Sequence, residues 1–314
     1  MKVSVIIPVY NVGKYIKRCA HSLFSQTLNE LEYIFVDDCS PDNSIDIVKE
    51  VLNDYPHRQQ NVRIIRHDVN YGVSKSRQDG VDVATGKYII HCDPDDWIEP
   101  DMYEQMLKKA ISTDADIIGC DYIEFFKDRS VYHCQQFNLK RGAILTEMLN
   151  IKPTKVGLYL WNRLIKRSYI EQCNVQFLHG VTLWEDVAYL IPLHFCGGKV
   201  EYIAKALYHY NRTNQDSAVT VFRQSHALSL LRVGKYLRTY FETKELSTSQ
   251  RLNLENRLLR CKLPLITESV AFDANLWRHT WPGLQIHYYP SLKMKIIMYL
   301  AILRMDAILK FICS

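Results

Sequence analysis

Lys87-Tyr88-Ile89-Ile90-His91-Cys92-Asp93-Pro94-Asp95-Asp96-Trp97 joins a short apolar run to three carboxylates within four positions. The apolar run is typical of a buried β-strand. Three anions this close repel one another and resist burial, and the nearest Lys or Arg is Lys87. Hard cations such as Mg²⁺ or Mn²⁺ prefer carboxylate ligands, so the pattern favours a metal site. A solvated turn is the alternative, because Asp and Pro are turn residues.

The same arrangement of a short strand followed by polar residues recurs upstream. The sequence predicts strands over Val3–Ile7, Glu32–Val36 and Val62–Ile65, and helices starting near Lys14, Ile45 and Ser74. Strands that alternate with helices indicate βαβ units in a mostly parallel sheet, whose ligands lie at the carboxyl ends of the strands. The stretches Pro8–Asn11, Asp37-Asp38 and Asp93–Asp96 should therefore meet at one edge. This convergence favours a ligand site over a solvated turn.

Downstream, the pattern predicts a less regular α/β segment and then helices alone. The expected elements are a helix from Pro100 to about Thr113, a strand over Asp116–Cys120, a hairpin within Tyr122–Phe137, a helix over Arg141–Asn150, an amphipathic stretch over Leu158–Ile170, short strands at Glu201–Ile203 and Ala206–Tyr208, and helices over Leu228–Phe241 and Leu252–Leu265. We place a boundary near 222, with a catalytic domain over 1–222 and a helical region over 223–314. Since no Pro/Gly-rich linker separates them, the tail should pack on the body.

Composition places the chain among globular proteins. It has 314 residues, 47 % hydrophobic and 23 % charged, with nine Cys and no CxxC pair. These values argue against disorder, a zinc ribbon and a complete disulfide framework. The net charge of +5 is uneven, because residues 223–314 carry 14 basic and 6 acidic side chains while the remainder has a net charge of −3. A basic tail fits an anionic lipid, a lipid phosphate or nucleic acid, or else a solvated helical face.

The location follows from what the sequence lacks. It shows no signal peptide and no apolar run of about 18 residues, which predicts a cytoplasmic protein without a transmembrane helix. The apolar stretch Ser291–Ser314 is interpreted either as a core-packed helix or as an interfacial membrane helix. In the second case the protein is peripheral at the inner face of the plasma membrane.

Six motifs occur in a specific order in the first 220 residues. They are Pro8-Val9-Tyr10-Asn11, Asp37-Asp38-Cys39-Ser40, Asn70-Tyr71-Gly72 with Arg77, Gly86-Lys87-Tyr88-Ile89, Asp93-Pro94-Asp95-Asp96 and Trp184-Glu185-Asp186. Each is weak alone, but in this order and spacing they resemble the family 2 glycosyltransferases of the GT-A fold. These are the inverting enzymes that build bacterial surface polysaccharides. The resemblance implies transfer of a hexosyl or N-acetylhexosaminyl group from a nucleotide-sugar, with a UDP-sugar favoured.

The resemblance also implies residue roles. By position, Pro8, Tyr10 and Asp38 line the nucleotide base, and Asn70 and Arg77 border the nucleotide. Asp93 holds the ribose and the metal, Asp95 holds the metal, and Asp96 is a candidate for a further contact. Asp186 is the catalytic base, supported by Glu185, and Arg212 and Ser217 contact the diphosphate. His209 is a candidate ligand or a structural residue. Trp97, Trp161 and Trp184 are candidate sugar-stacking surfaces or core residues. The implied cofactor is Mn²⁺ or Mg²⁺, and the implied acceptor is a glycan or a polyprenyl-diphosphate-linked glycan.

The sequence departs from the family pattern in three places. Cys39 stands where Gly is usual, Gln78 replaces a frequent Asn, and the QxxRW motif of processive synthases is absent. The last departure predicts a single transfer per encounter.

Two other classes of function are alternatives to glycosyl transfer. A nucleotidyltransferase shares the parallel sheet but needs a Gly-rich loop after the first strand, where Pro8–Gly13 has a single Gly. A catalytically silent scaffold should lack the metal or base carboxylates, and both are present. Nucleic acid is disfavoured as a partner, because the excess positive charge lies in the tail, away from the acidic motifs.

Overall fold

The computed structural model describes residues 1–137, 141–151, 156–214 and 222–313. The strands are β1 (Val3–Val9), β2 (Leu31–Asp37), β3 (Val62–Arg66), β4 (Tyr88–His91), β5 (Trp97–Ile98), β6 (Ile117–Phe125), β7 (Ser130–His133), β8 (Arg163–Lys166) and β9 (Val200–Asn211). The helices are α1 (Ile16–Phe24), α2 (Ser44–Leu52), α3 (Val73–Val83), α4 (Met102–Thr113), α5 (Arg141–Leu149), α6 (Arg167–Cys173), α7 (Glu185–Cys196), α8 (Gln224–Phe241), α9 (Thr248–Lys262), α10 (Pro264–Thr267), α11 (Ala274–His279), α12 (Leu292–Ile302) and α13 (Asp306–Cys313).

All these strands belong to one mixed sheet in the order β3-β2-β1-β4-β8-β6-β9-β5, with β7 paired to β6. The first four strands are parallel, as predicted, whereas β8 is antiparallel to both of its neighbours. In register, Val9 faces Asp37 and Ile6 faces His91. The polar residues that follow β1, β2 and β4 therefore lie at one edge of the sheet.

Alternation along β1 builds a core on each face of the sheet. Val3, Val5 and Ile7 join α1, α2 and α4 in one buried cluster. Ile6 points to the other face, where α5, α7, α8 and α9 cover the sheet. Because Val233 and Leu258 of the tail belong to this second cluster, the tail packs on the body as the sequence predicted.

Three local predictions need correction. Residues 158–170 are a loop, the strand β8 and the start of α6. The two short strands near 201–208 are the single strand β9, whose pairing with β6 shifts register around Asp121. The stretch 291–314 breaks into α12 and α13, because Arg304 adopts a left-handed conformation (φ 58°). Asp306 then begins α13 and accepts hydrogen bonds from Arg278 at 2.8 and 3.0 Å.

Gly86, the turn residue before β4, is required by a close approach of two backbones. Its N–H donates to Ser4 Oγ at 2.8 Å, and a Cβ at this position would lie 2.6 Å from the Ser4 backbone nitrogen. Gly86→Ala should therefore lower the free energy of unfolding by about 1–3 kcal/mol. Gly142→Ala is the matched control, since a Cβ there meets nothing within 4 Å. Urea unfolding that gives both variants equal stability would contradict this account.

Candidate active site

The acidic loop between β4 and β5 holds its three aspartates in different environments. Asp96 is fully buried, and its carboxylate accepts hydrogen bonds from Tyr208 Oη at 2.6 Å and from the Asn211 N–H at 2.7 Å. Burial and then the neighbouring Asp95 raise the pKa of Asp96 well above its usual value. Both oxygens of Asp96 are thus engaged inside the protein. This geometry favours a structural task for Asp96 over the metal contact considered from the sequence.

Asp93 and Asp95 are the two remaining carboxylates of the loop. Asp93 Oδ1 accepts a hydrogen bond from Arg77 at 2.7 Å, and Asp95 Oδ2 accepts one from Asn214 at 2.9 Å. Burial and then the charge of Asp93 raise the pKa of Asp95 to about 6. A group with this shift gains from a nearby cation.

The residues fit a hard divalent cation with a mostly external ligand shell. Within the described ranges, no three His, Cys, Asp or Glu side chains converge as a metal cluster. Mg²⁺ commonly takes one or two carboxylates and completes its shell with water and substrate phosphate. Asp95 and Asp93 supply such a pair.

Arg77 on α3 connects the acidic loop to a second acidic pair. It is buried, with Nη2 2.7 Å from Asp93 Oδ1 and Nε 3.5 Å from Glu185 Oε1. Burial acts to lower the pKa of Arg77, but Asp93 and Glu185 outweigh it and raise that pKa. The guanidinium therefore stays charged and links β4 to α7. Sequence reasoning assigned Arg77 only to the nucleotide border.

Asp186 lies in the first turn of α7, directly after Glu185. Its Oδ1 accepts a hydrogen bond from the Val187 N–H at 2.7 Å. Burial, and then the neighbouring Glu185 carboxylate, raise the pKa of Asp186 to about 8. A carboxylate with a pKa near neutrality is suited to accepting a proton in general base catalysis.

Trp184, which precedes this pair, is held by the tail. Its backbone is left-handed (φ 67°), which is costly for a bulky residue. Arg257 of α9 lies over the Trp184 ring at 5.3 Å and also donates to the carbonyls of Met148 and Leu149 at 2.6 and 3.2 Å. The tail thus supports the segment that carries Glu185. No sequence pattern marked Arg257, because its partners lie on two other elements.

On the other side of the sheet edge, Asp38 organises the loop after β3. Only 3 % of Asp38 is exposed, and it accepts hydrogen bonds from Tyr71 N–H at 2.8 Å, Gly72 N–H at 2.7 Å and His67 Nδ1 at 2.7 Å. Since a carboxylate has about four acceptor positions, the direct contact with a nucleotide base that the resemblance implies would use the one that these three bonds leave. His67, which also contacts Asp79 at 2.9 Å, had no sequence signal.

The other predicted nucleotide-lining residues lie near this loop or at the same strand ends. Pro8 lies in β1 and pairs with Val36, and Tyr10 beyond it is 48 % exposed. Asn70 Oδ1 accepts from the Gly72 N–H at 3.0 Å, which shapes the turn into α3. The exposed ring of Tyr10 is available to a planar ligand.

Arg212 and Ser217 are the predicted diphosphate contacts. Arg212 donates to Glu124 and its guanidinium lies 4.9 Å from the centre of the Tyr210 ring. Because a guanidinium has five N–H donors, the bonds from Nε to Glu124 and from Nη1 to Tyr210 leave other donors of Arg212 for a phosphate. Ser217 lies outside the described residues. His209 accepts or donates a hydrogen bond with Glu99 at 2.7 Å and is thus engaged within the protein.

The candidate stacking tryptophans are covered by other side chains. Trp97 lies between His209, stacked at 5.0 Å, and Arg18, 3.2 Å from the ring centre. Trp161 is buried and stacks on Tyr208 at 4.2 Å. With Trp184 under Arg257, this arrangement agrees with the core interpretation of these residues.

The chain is similar in sequence to known glycosyltransferases. The family model described as glycosyl transferase family 2 matches residues 4–173. The chain is 31 % identical over 223 residues to the uncharacterized glycosyltransferase EpsJ of Bacillus subtilis, covering 70 % of this chain and 63 % of EpsJ. It is 26 % identical over 281 residues to the minor teichoic acid biosynthesis protein GgaB of the same organism, covering 88 % of this chain and 29 % of GgaB. The chain thus spans less than two thirds of either relative.

Solved structures share the fold. S. aureus TarS 1–349 in complex with UDP-GlcNAc matches with a TM-score of 0.63 and 16 % identity, covering 100 % of this chain and 90 % of that one. The mannosyltransferase PcManGT of Pyrobaculum calidifontis, in complex with GDP-Man and Mn²⁺, matches with a TM-score of 0.59 and 14 % identity, covering 96 % and 86 %. These matches and the mixed sheet confirm the GT-A fold predicted from the sequence. Since the family model covers more than half of the chain, the protein belongs to glycosyl transferase family 2.

Proposed function

We propose that this glycosyltransferase moves a sugar, with inversion and with the aid of Mn²⁺ or Mg²⁺, from a nucleotide-diphospho-sugar to an acceptor hydroxyl. A UDP-sugar is favoured as donor, and a glycan or polyprenyl-diphosphate-linked acceptor of bacterial surface polysaccharide biosynthesis as acceptor. The observation that carries the proposal is the bridge through Arg77. It joins Asp93, on the donor side, to Glu185 beside the base Asp186.

The reaction is a single in-line displacement at the anomeric carbon. The acceptor hydroxyl gives its proton to Asp186 as its oxygen forms the new bond to that carbon. The bond from the carbon to the phosphate oxygen breaks, and the electron pair leaves with the nucleoside diphosphate. Proton transfer to a positioned base contributes about 10²–10⁴ in rate. Arg77 and Glu185 hold the base segment in register with Asp93, so that both substrates meet in one geometry.

The donor side is assigned to the edge formed by β1, β2 and β4. Pro8, Tyr10, Asp38 and Asn70 would border the nucleotide, directly or through the loop after β3. Asp95 and Asp93 would hold the metal, which supplies Lewis-acid stabilisation of the departing diphosphate when bound. Arg212 and Ser217 remain proposed diphosphate contacts. The UDP-GlcNAc and GDP-Man–Mn²⁺ complexes of the two structural neighbours support this class of donor and cofactor.

Donor identity can be tested by ligand-induced stabilisation. A panel of UDP-, GDP- and dTDP-sugars with Mn²⁺ or Mg²⁺ should contain one nucleotide that raises the melting temperature, and a UDP-sugar is expected. At 100 times its Kd a ligand adds about 2.7 kcal/mol to stability. The same panel with EDTA is the control. If no nucleotide-sugar stabilises the protein with either metal, the proposed donor class is wrong.

The rate of transfer should rise with pH. Only the ionised form of Asp186 can accept the proton, and burial with Glu185 raises its pKa to about 8, so kcat/KM should reach half its maximum near pH 8. The profile measured from about pH 6 to about pH 10 gives the midpoint. A kcat/KM that is constant through this range would remove Asp186 as the titrating base.

The end of the tail is proposed to associate with membranes as an interfacial surface. Among the described residues, no helix has both the length and the apolar character needed to cross a bilayer. The exposed apolar side chains of this surface are Leu292, Ile296, Tyr299, Ile302, Leu303, Met305, Ile308, Phe311 and Ile312. Ile297, Met298 and Ala301 face the protein instead, so the stretch is partly packed and partly exposed. Lys293, Lys295 and Arg304 flank the apolar residues and suit anionic headgroups.

Leu292→Glu with Leu303→Glu should reduce binding to phosphatidylglycerol vesicles. These side chains are 73 % and 68 % exposed, so the fold should persist while the contact loses apolar area and gains two negative charges. Vesicle sedimentation measures the bound fraction. Ile111→Glu with Leu228→Glu makes the same change at exposed sites on α4 and α8. Equal sedimentation of both double variants and the unchanged protein would contradict the membrane surface.

A further inference from the structure

A basic cavity of about 410 Å³ lies between the start of α1 and the end of β9. Its walls include Lys14, Lys17, Arg18 and His21 on one side and Asn211 and Thr213 on the other. This volume is in the range of small-ligand sites. Two lysines, one arginine and one histidine thus line the same cavity. They belong to residues 1–222, whose net charge is negative.

Within the described part of the chain, these cations form no close ion pair. None of the ion pairs among the described residues involves Lys14, Lys17 or Arg18. Arg18 is instead held in place by the Trp97 ring, 3.2 Å from its guanidinium carbon. His21 Nδ1 contacts Tyr55 Oη at 3.2 Å, which fixes the imidazole at the cavity wall. A surface with such clustered, unpaired positive charge is complementary to a multivalent anion.

The cavity shares a wall with the acidic loop. The Asn211 N–H donates to Asp96 at 2.7 Å, and Asn211 Nδ2 donates to the Asp95 carbonyl at 3.0 Å. Thr213 Oγ1 donates to Asn211 Oδ1 at 2.7 Å and so fixes the orientation of that amide. The Asp95–Asp96 half of the loop therefore bonds to the cavity wall, whereas Asp93 bonds to Arg77. The cavity thus adjoins the main chain of Asp95 and the buried carboxylate of Asp96.

We propose that this cavity is a phosphate-binding site, with Lys14 and Lys17 as its principal charges. Lysine ammonium groups bind phosphate as point charges, and Thr213, whose hydroxyl proton is donated to Asn211, forms part of the wall beside them. The phosphate has two possible sources in the proposed reaction, on which this assignment rests. It is either the diphosphate of the nucleotide or a phosphate carried by the acceptor chain. In either case the site holds phosphate next to Asp95 with charges borne by α1 and the turn before it.

The test is a charge reversal of the two exposed lysines, Lys14→Glu with Lys17→Glu. The matched control, Lys127→Glu with Lys235→Glu, makes the same change in net charge at exposed lysines that also lack an ion pair among the described residues. Calorimetry measures the Kd of three probes at two salt concentrations. The probes are UDP with Mg²⁺, inorganic pyrophosphate with Mg²⁺, and short glycerol phosphate oligomers, which are phosphodiester chains.

The cavity variant should raise the Kd of at least one phosphate probe about tenfold or more relative to the control variant. Loss confined to UDP and pyrophosphate assigns the site to the donor, and loss confined to the oligomers assigns it to the acceptor. The increase should shrink as salt is raised. Equal Kd values for both double variants with all three probes would overturn the phosphate site. That result would leave glycosyl transfer untouched, whereas failure of the unchanged protein to bind UDP would instead count against the proposed donor.

Discussion

Asp186→Asn is expected to lower the kcat of sugar transfer by about 10²–10⁴ while leaving the affinity for the nucleotide-sugar within about twofold. Asparagine keeps the size of the side chain but cannot take the proton of the acceptor hydroxyl. Donor binding should persist, because none of the proposed nucleotide contacts lies on α7. The loss should therefore appear in kcat and not in the Kd of the donor.

Two measurements separate this result from a folding defect. Thermal unfolding should show a folded Asp186→Asn protein, and calorimetry should give its donor Kd. Asp54→Asn, at an exposed position after α2, is the control for removal of one carboxylate. Unchanged turnover in Asp186→Asn would remove the base assignment. A large rise in donor Kd with normal kcat would place Asp186 in donor binding instead.

Asp95→Ala should abolish metal-dependent donor binding. Removing a residue that only hydrogen-bonds to a metal ligand typically lowers the metal affinity by about 10–100-fold. Loss of a direct ligand should therefore raise the donor Kd by about 100-fold or more. Titration of Mn²⁺ at fixed nucleotide-sugar, with Asp54→Ala as control, measures this effect. Wild-type affinity and wild-type metal dependence in Asp95→Ala would refute the assignment.

Asp95→Ala should also change the stability of the ligand-free protein in a known direction. Burial and Asp93 raise the pKa of Asp95 to about 6, so in the ligand-free protein its ionised form costs stability as pH rises through 6. Removing this carboxylate should leave the melting temperature without metal at pH 8 equal to that of the unchanged protein or higher. A lower melting temperature would mean that lost donor binding reflects a damaged fold.

The sequence predicted the first half of the fold because local pattern and tertiary structure agree there. Short β-branched strands separated by amphipathic helices allow few arrangements, and the motifs at their carboxyl ends lie at one edge as expected. The strand β5 was missed because two residues carry no periodic signal. The break between α12 and α13 was missed because a left-handed Arg304 is fixed by tertiary contacts, including the pair formed by Arg278 and Asp306.

The sequence predicted which residues the candidate site contains, but it did not predict which of them have a structural role. Spacing drew attention to Asp93, Asp95 and Asp96 as one cluster, but burial and hydrogen bonds to Tyr208 and Asn211 set Asp96 apart. The support of Trp184 by Arg257 depends on residues distant in sequence. Such contacts arise from the packing of α9 and leave no pattern in a single sequence.

The central claim is inverting transfer from a nucleotide-sugar at the Asp93–Arg77–Glu185–Asp186 site. The most direct test uses the ¹³C-labelled, α-linked nucleotide-sugar that stabilises the protein most, with Mn²⁺ and a bacterial membrane extract as acceptor. NMR of the product then gives the configuration at the transferred anomeric carbon. The account predicts a β-linked product with the unchanged protein and none with Asp186→Asn. An α-linked product, or no transfer despite donor binding, would contradict it.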